Sequence, residues 1–203
     1  MMGRLVALFT VWLSLTSAAL SATSAPGSVP SYFFAQPSST LTRASNTTAY
    51  AANETVCALT SVTVCAPMTV TIAKTSAGNG LITRLSLLKS GASTTNASFT
   101  VWLFSAAPGT ASPNQFDATA YSGPRTADTP NYIGAALCNT ATATSDTSPG
   151  VWFDCTLSNP NAAGTMVFQA LAGATTIDAL ISVTAAYTPA SAETFTFYVS
   201  GIY

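Results

Sequence analysis

The stretch Thr176-Ile177-Asp178-Ala179-Leu180-Ile181-Ser182-Val183-Thr184-Ala185-Ala186-Tyr187 decides the fold. Ile177, Ala179, Ile181, Val183, Ala185 and Tyr187 recur at every second position, while Asp178, Ser182 and Thr184 fall between them. Successive side chains of an extended chain point to opposite sides, so this spacing predicts a β-strand with one face turned to a core. Near the C-terminus Phe195, Phe197 and Val199 oppose Thr196, Tyr198 and Ser200 in the same way. Outward from these two, β-prone runs predict further strands over 68–72, 81–89, 97–104, 132–138, 151–157 and 165–171, and a weaker one over 56–64. Asn79-Gly80, Pro108-Gly109, Pro149-Gly150 and Asn159-Pro160-Asn161 supply turns between them. No stretch after Thr48 sustains a period near 3.6. The expected class is all-β, a two-sheet antiparallel sandwich of jelly-roll or Greek-key type over residues 49–203.

Ahead of this domain the composition changes twice. Arg4 precedes an apolar run from Leu5 to Leu13, followed by the small residues Ser17, Ala18, Ala19 and Ala22. That order is the layout of a secretory signal peptide over 1–22, and the interrupted apolar run falls short of the roughly 20 residues a spanning helix needs. No stable membrane span is expected once the signal is removed. Residues 23–48 are rich in Ser and Thr and carry Pro26, Pro30 and Pro37, which predicts an extended arm. Within it Tyr32-Phe33-Phe34 is an apolar island, suited either to pack on the following domain or to dock onto a neighbouring subunit.

The cysteines Cys57, Cys65, Cys138 and Cys155 all follow the signal segment, and an even count in an exported chain predicts disulfides. Of the three possible pairings, Cys57 with Cys65 and Cys138 with Cys155 closes two short loops and suits strands joined by near connections. Zinc is disfavoured, because neither pair has the close spacing that holds a tetrahedral ion.

Charge bounds the chemistry. The chain has six Lys/Arg, seven Asp/Glu and no His, a charged fraction of 6% against about 25% for an average soluble domain. Without His, Ser-His-Asp and Cys-His catalysis is unavailable, together with the commonest general base and metal ligand. The acids are Glu54, Asp117, Asp128, Asp146, Asp154, Asp178 and Glu193. Asp154 is the most suggestive, since it lies beside Trp152 and an aromatic next to a carboxylate suits a sugar; a strand-end aspartate explains it equally. Asp117, Asp128 and Asp146 form no recognisable calcium loop. So few basic residues make no phosphate-tracking patch, and nucleic acid is not expected. No catalytic, cofactor-binding or metal-ligating residue is therefore assigned, and the four cysteines are the site residues. Phe99, Val101 and Leu103 alternate with Trp102 and Phe104, so that strand is apolar on both faces and must be central or covered by a partner. Asn46-Thr47-Thr48, Asn53-Glu54-Thr55 and Asn96-Ala97-Ser98 match the glycosylation sequon.

Two segments carry a resemblance. Residues 82–99, running into Leu103-Phe104 and Pro108, and residues 185–196 near the C-terminus are similar to recurrent segments of small structural proteins of tailed bacteriophages. Tyr50-Ala51-Ala52 and Tyr132-Ile133-Gly134 sit where that family has comparable residues. The resemblance implies a non-enzymatic β-sandwich component of the virion, a capsid decoration, cement or fibre-associated protein, with capsid or fibre proteins as partners. The signal segment and the cysteines depart from that pattern and favour an exported protein, periplasmic, secreted or displayed on the surface. For such a chain the alternative is a β-sandwich binding module, with carbohydrate among its ligands. Low charge and Thr/Val-rich strand edges predict a homo-oligomer in either case.

Overall fold

The computed structural model describes residues 32–33, 39–45, 47–57, 65–108, 118–121, 123–124, 126–145, 150–159 and 162–202. The signal segment lies outside them. Among the described residues there are β1 (Tyr32–Phe33), β2 (Ser39–Thr42), β3 (Thr55–Val56), β4 (Met68–Thr71), β5 (Asn79–Lys89), β6 (Phe99–Phe104), β7 (Tyr132–Cys138), β8 (Ala143–Ser145), β9 (Val151–Asn159), β10 (Ala162–Ala163), β11 (Met166–Gln169), β12 (Thr176–Val183) and β13 (Thr194–Ile202). Two single-turn 3-10 helices, Thr129–Asn131 and Thr140–Thr142, are the only helices in these segments. The protein is all-β, as the alternation predicts.

Every pairing is antiparallel, and the strands form one curled sheet in the order β1-β13-β5-β9-β7-β6-β12-β3, with β2, β4, β8, β10 and β11 at its margins. The curl is made by β9. Its residues 151–155 pair with β5, and Thr156, Leu157 and Ser158 pair with β7. Where β9 leaves β5, β11 takes its place against Asn79–Ile82. Side chains from both halves then meet in one core. Phe99 of β6 makes edge-to-face contacts with Phe153 of β9 and Phe195 of β13, at ring-centroid distances of 5.7 and 5.2 Å.

β13 keeps the alternation read from its sequence, with Phe195, Phe197 and Val199 buried and Thr196, Tyr198 and Ser200 half-buried. β12 does not. Everything from Ile177 to Val183 is buried, so its supposedly open face is closed as well. A second cluster explains this: Leu180, Phe104, Tyr121 and the Cys57–Cys65 disulfide pack together with Trp102 and Tyr132 on the far side of the strand. The segments around Thr55 and Thr119 lie over it, joined by Thr55 N–H to Thr119 C=O and Tyr121 N–H to Asn53 C=O. The polar side chains of β12 find partners under this cover. Asp178 accepts from Thr69 Oγ1 at 2.6 Å, and Ser182 Oγ accepts from Trp102 Nε1 at 2.9 Å. Trp102 and Phe104 are thus covered by the chain itself.

The arm is partly stitched into the sheet. Ser39–Thr42 pairs with Thr194–Phe197, burying Leu41 in the core, and Tyr32–Phe33 pairs with Gly201–Ile202. The weak strand expected over 56–64 is β3 only, and residues 58–64 lie outside the described segments. Strand 176–187 stops at Val183: the chain bends at Thr184 and Ala185, and Tyr187 pairs separately with Tyr50.

The cysteines pair locally, Cys57 with Cys65 and Cys138 with Cys155. The second bridge joins the end of β7 to β9 at the residue where β9 changes neighbours. Closing a loop of 17 residues stabilises a chain by about 3 kcal/mol on the chain-entropy argument. Replacing both Cys138 and Cys155 by alanine is therefore expected to lower Tm by about 6–12 °C for a domain of this size, measured by calorimetry.

Candidate binding face and buried ion pair

On the convex side of β8-β9-β5-β13-β2 the outward residues fall into rows. Leu88 stands between Trp152 and Thr196, Ser86 between Asp154 and Tyr198, and Arg84 opposite Ser200. Arg84 donates from Nε to Asp154 Oδ1 and from Nη2 to Oδ2, both at 2.8 Å. Ser86 Oγ also donates to Oδ1, at 2.9 Å. The rings of Trp152 and Tyr198 reach over β5 from either side and stack with centroids 4.9 Å apart and planes 31° apart. This bridge leaves Ser86 only 3% exposed. The aspartate flagged beside Trp152 in the sequence therefore belongs to a face that also holds Tyr198 and Arg84, brought there by strand register.

Hydrogen bonding from Arg84 holds the Asp154 carboxyl below its ordinary range, against a smaller opposing push from desolvation. A carboxyl lowered in this way adds stability above its unfolded-state value and loses it as pH falls through the folded one. Both partners are more than half exposed, so screening limits the pair to under about 1 kcal/mol. Asp154→Asn is expected to cost no more than that at pH 7. The gap from the native protein should close as the solution is acidified below the ordinary value of 3.8, a trend readable in urea melts.

A second polar cluster is fully enclosed. Lys89 Nζ and Glu193 Oε1 are 3.0 Å apart with both side chains at zero exposure. Lys89 also donates to the carbonyl of Gly91, and the Tyr187 hydroxyl donates to Glu193 Oε2 at 2.5 Å. Tyr50 and Tyr187 exchange backbone hydrogen bonds of 2.8 and 3.1 Å, and Arg43 N–H donates to Glu193 C=O. Arg43 Nε donates to the Tyr50 hydroxyl at 2.6 Å, with the guanidinium 4.6 Å above the ring. Burial, reinforced by Glu193, pushes the Tyr187 phenol well above its ordinary value. Lys89-Ser90-Gly91, Tyr50 and the Tyr187-to-Glu193 turn all converge on this cluster.

The remaining acids are dispersed. Glu54 Oε2 accepts from Ala51 N–H, and Asp128 is buried at the start of the first 3-10 turn. Asp117 and Asp146 lie outside the described residues, among which no three His, Cys, Asp or Glu gather as metal ligands. Of the sequon asparagines, Asn53 and Asn96 are exposed turn residues with φ of 67° and 54°, and Asn46 lies outside the described residues. An open cleft of about 730 Å³ sits beside the outer edge of β11, lined by Asn131, Tyr132, Ile133, Val167, Gln169 and Leu171 among others, with no charged group.

Comparison with protein-family models, curated proteins and solved structures finds no match to this chain. The two disulfides point to an oxidising, exported or extracellular environment. Among the described residues no helix is long and apolar enough to cross a membrane.

Proposed function

We propose that this is a non-enzymatic structural protein that acts by surface contact, resembling a capsid-decoration or fibre-associated component of a phage virion, and that it self-associates. The observation that carries the reading is how the scaffold uses its scarce charges. Glu54, Asp154, Asp178 and Glu193 each accept hydrogen bonds from neighbours within the chain, two of them inside ion pairs. These acids serve the fold. The convergence of the phage-like segments on the Lys89–Glu193 cluster adds support, since what they share is then an architectural element. We read the curl as a two-sheet sandwich of jelly-roll or Greek-key type, supported by the way its two halves face each other across one core. Immunogold labelling of particles induced from the host tests the virion reading; gold on particles is the expected result, and unlabelled particles overturn it.

The disulfides favour a second reading, an exported binding module displayed at the cell surface. Cell fractionation with thiol labelling tests it. Protein in the surface or secreted fraction with blocked thiols is expected, and cytosolic protein with free thiols ends it.

A further inference from the structure

We propose that the convex face around Trp152 and Tyr198 is a glycan-binding site, and that its ligand is an oligosaccharide of uncharged pyranose sugars. This rests on the binding-module reading and gives that module its ligand class.

Three observations meet on the face. First, Trp152 and Tyr198 project from neighbours on either side of β5 with ring centroids 4.9 Å apart, and both residues are only half-buried. Pyranose rings carry apolar C–H patches that pack on aromatic surface, and rings fixed on strands offer that surface with little ordering cost on binding. Second, Arg84 and Asp154 stand beside the aromatic pair with side-chain exposures of 59% and 53%. Their mutual fork uses two of the five guanidinium N–H groups, and the Asp154 oxygens accept three bonds of about four available. Donors and an acceptor in fixed geometry are left over, which suits adjacent hydroxyls of a sugar. Third, the face carries one positive and one negative charge that cancel, and hydroxyls border it: Thr144 opposite Trp152, Ser200 opposite Arg84, and Thr40 bonded to Thr196 at 2.9 Å.

The same features select against other occupants. An anionic ligand would meet the Asp154 carboxylate without a surplus of positive charge. A second copy docking through apolar surface would seek the exposed large aliphatics, and Leu137, Val167 and Leu171 are not among the residues of this face.

The test uses the full chain with hexasaccharides of β-1,4-glucose, α-1,4-glucose and β-1,4-N-acetylglucosamine, and hexagalacturonate as the anionic control. Binding is followed by calorimetry and by backbone amide shifts. At least one neutral hexamer is expected to bind saturably, shifting amides of residues 84–88, 152–154 and 196–200. Trp152→Ala and Tyr198→Ala should each weaken it at least tenfold and Asp154→Asn several-fold, while Trp102→Phe leaves it unchanged. No saturable binding of any neutral hexamer, amide shifts elsewhere, or a preference for hexagalacturonate would each overturn the proposal. Should Trp152→Ala fail to fold, the shift map of the native protein decides alone. A surface location without glycan binding removes this site and leaves the module reading standing.

Discussion

Lys89→Met is expected to destabilise the protein by about 3–5 kcal/mol, because it leaves the buried Glu193 carboxylate without its paired ammonium. Lys89 and Glu193 are at zero exposure, so no water replaces the lost ammonium. The Tyr187 hydroxyl still donates to Oε2, but Oε1 loses the Lys89 ammonium that donates to it. For a domain of this size the loss corresponds to roughly 6–20 °C in Tm, measured by calorimetry at pH 7. The double variant Lys89→Met/Glu193→Met should recover most of it, since replacing both members of a buried pair by apolar groups is often neutral. A double variant as unstable as the single one would show that the cost lies in packing instead of charge. Gly91→Ala probes the same point differently. A Cβ there would stand 2.0 Å from Glu193 Oε1 and 3.3 Å from Lys89 Nζ, so even one methyl forces the pair apart. The Tyr187 phenol, raised in the folded state, contributes stability that is complete below its ordinary value of 10.0 and declines as pH climbs above it. Tyr187→Phe should remove this residue's share of the alkaline decline, leaving the part due to Tyr132, which burial also raises.

Phe99→Ala is the second large effect, about 3–5 kcal/mol in urea or thermal unfolding. Phe99 is fully buried and meets Phe153, Tyr187 and Phe195 edge-to-face. These three rings come from β9, the turn after β12, and β13, so truncation opens a hole where the two halves of the curl touch. The rigid aromatic neighbours have no short route to fill it, so relaxation recovers little of that cost. Phe99→Leu keeps most of the volume and should lose less than half as much. Equal losses for the two would mean the site collapses freely, against the packing described.

The strands were legible because a half-buried strand writes its two faces into alternate residues. Phe195 to Ser200 does this without exception. Where a strand is buried on both sides the signal degrades, and β12 shows the reason: Leu180 looks like an interruption in a polar face, yet it anchors a second cluster under Trp102 and the Cys57–Cys65 bridge. That cover comes from residues around 55 and 119, a separation that local periodicity does not encode. Spacing favoured the local cysteine pairing without excluding the other two, and the structure shows the local one. The buried pair left one trace, a lysine in phase with Leu85 and Leu87 on the core side of β5. Its partner Glu193 lies 104 positions away and had no such mark. On the convex face, Asp154 beside Trp152 was visible as a dipeptide-range feature, but Tyr198 and Arg84 join it only through the register of β5 with β9 and β13.

The last described strand, β13, is interior to the sheet, flanked by β5 on one side and by β1 and β2 on the other. Residues from the two ends of the domain must find each other before this seam exists, and pairings so distant in sequence form slowly. During synthesis the earlier strands therefore emerge with an unfilled slot where β13 belongs, leaving β5 and the Ser39–Thr42 segment without their shared neighbour. The seam between β5 and the Ser39–Thr42 segment therefore closes only after β13 has left the ribosome.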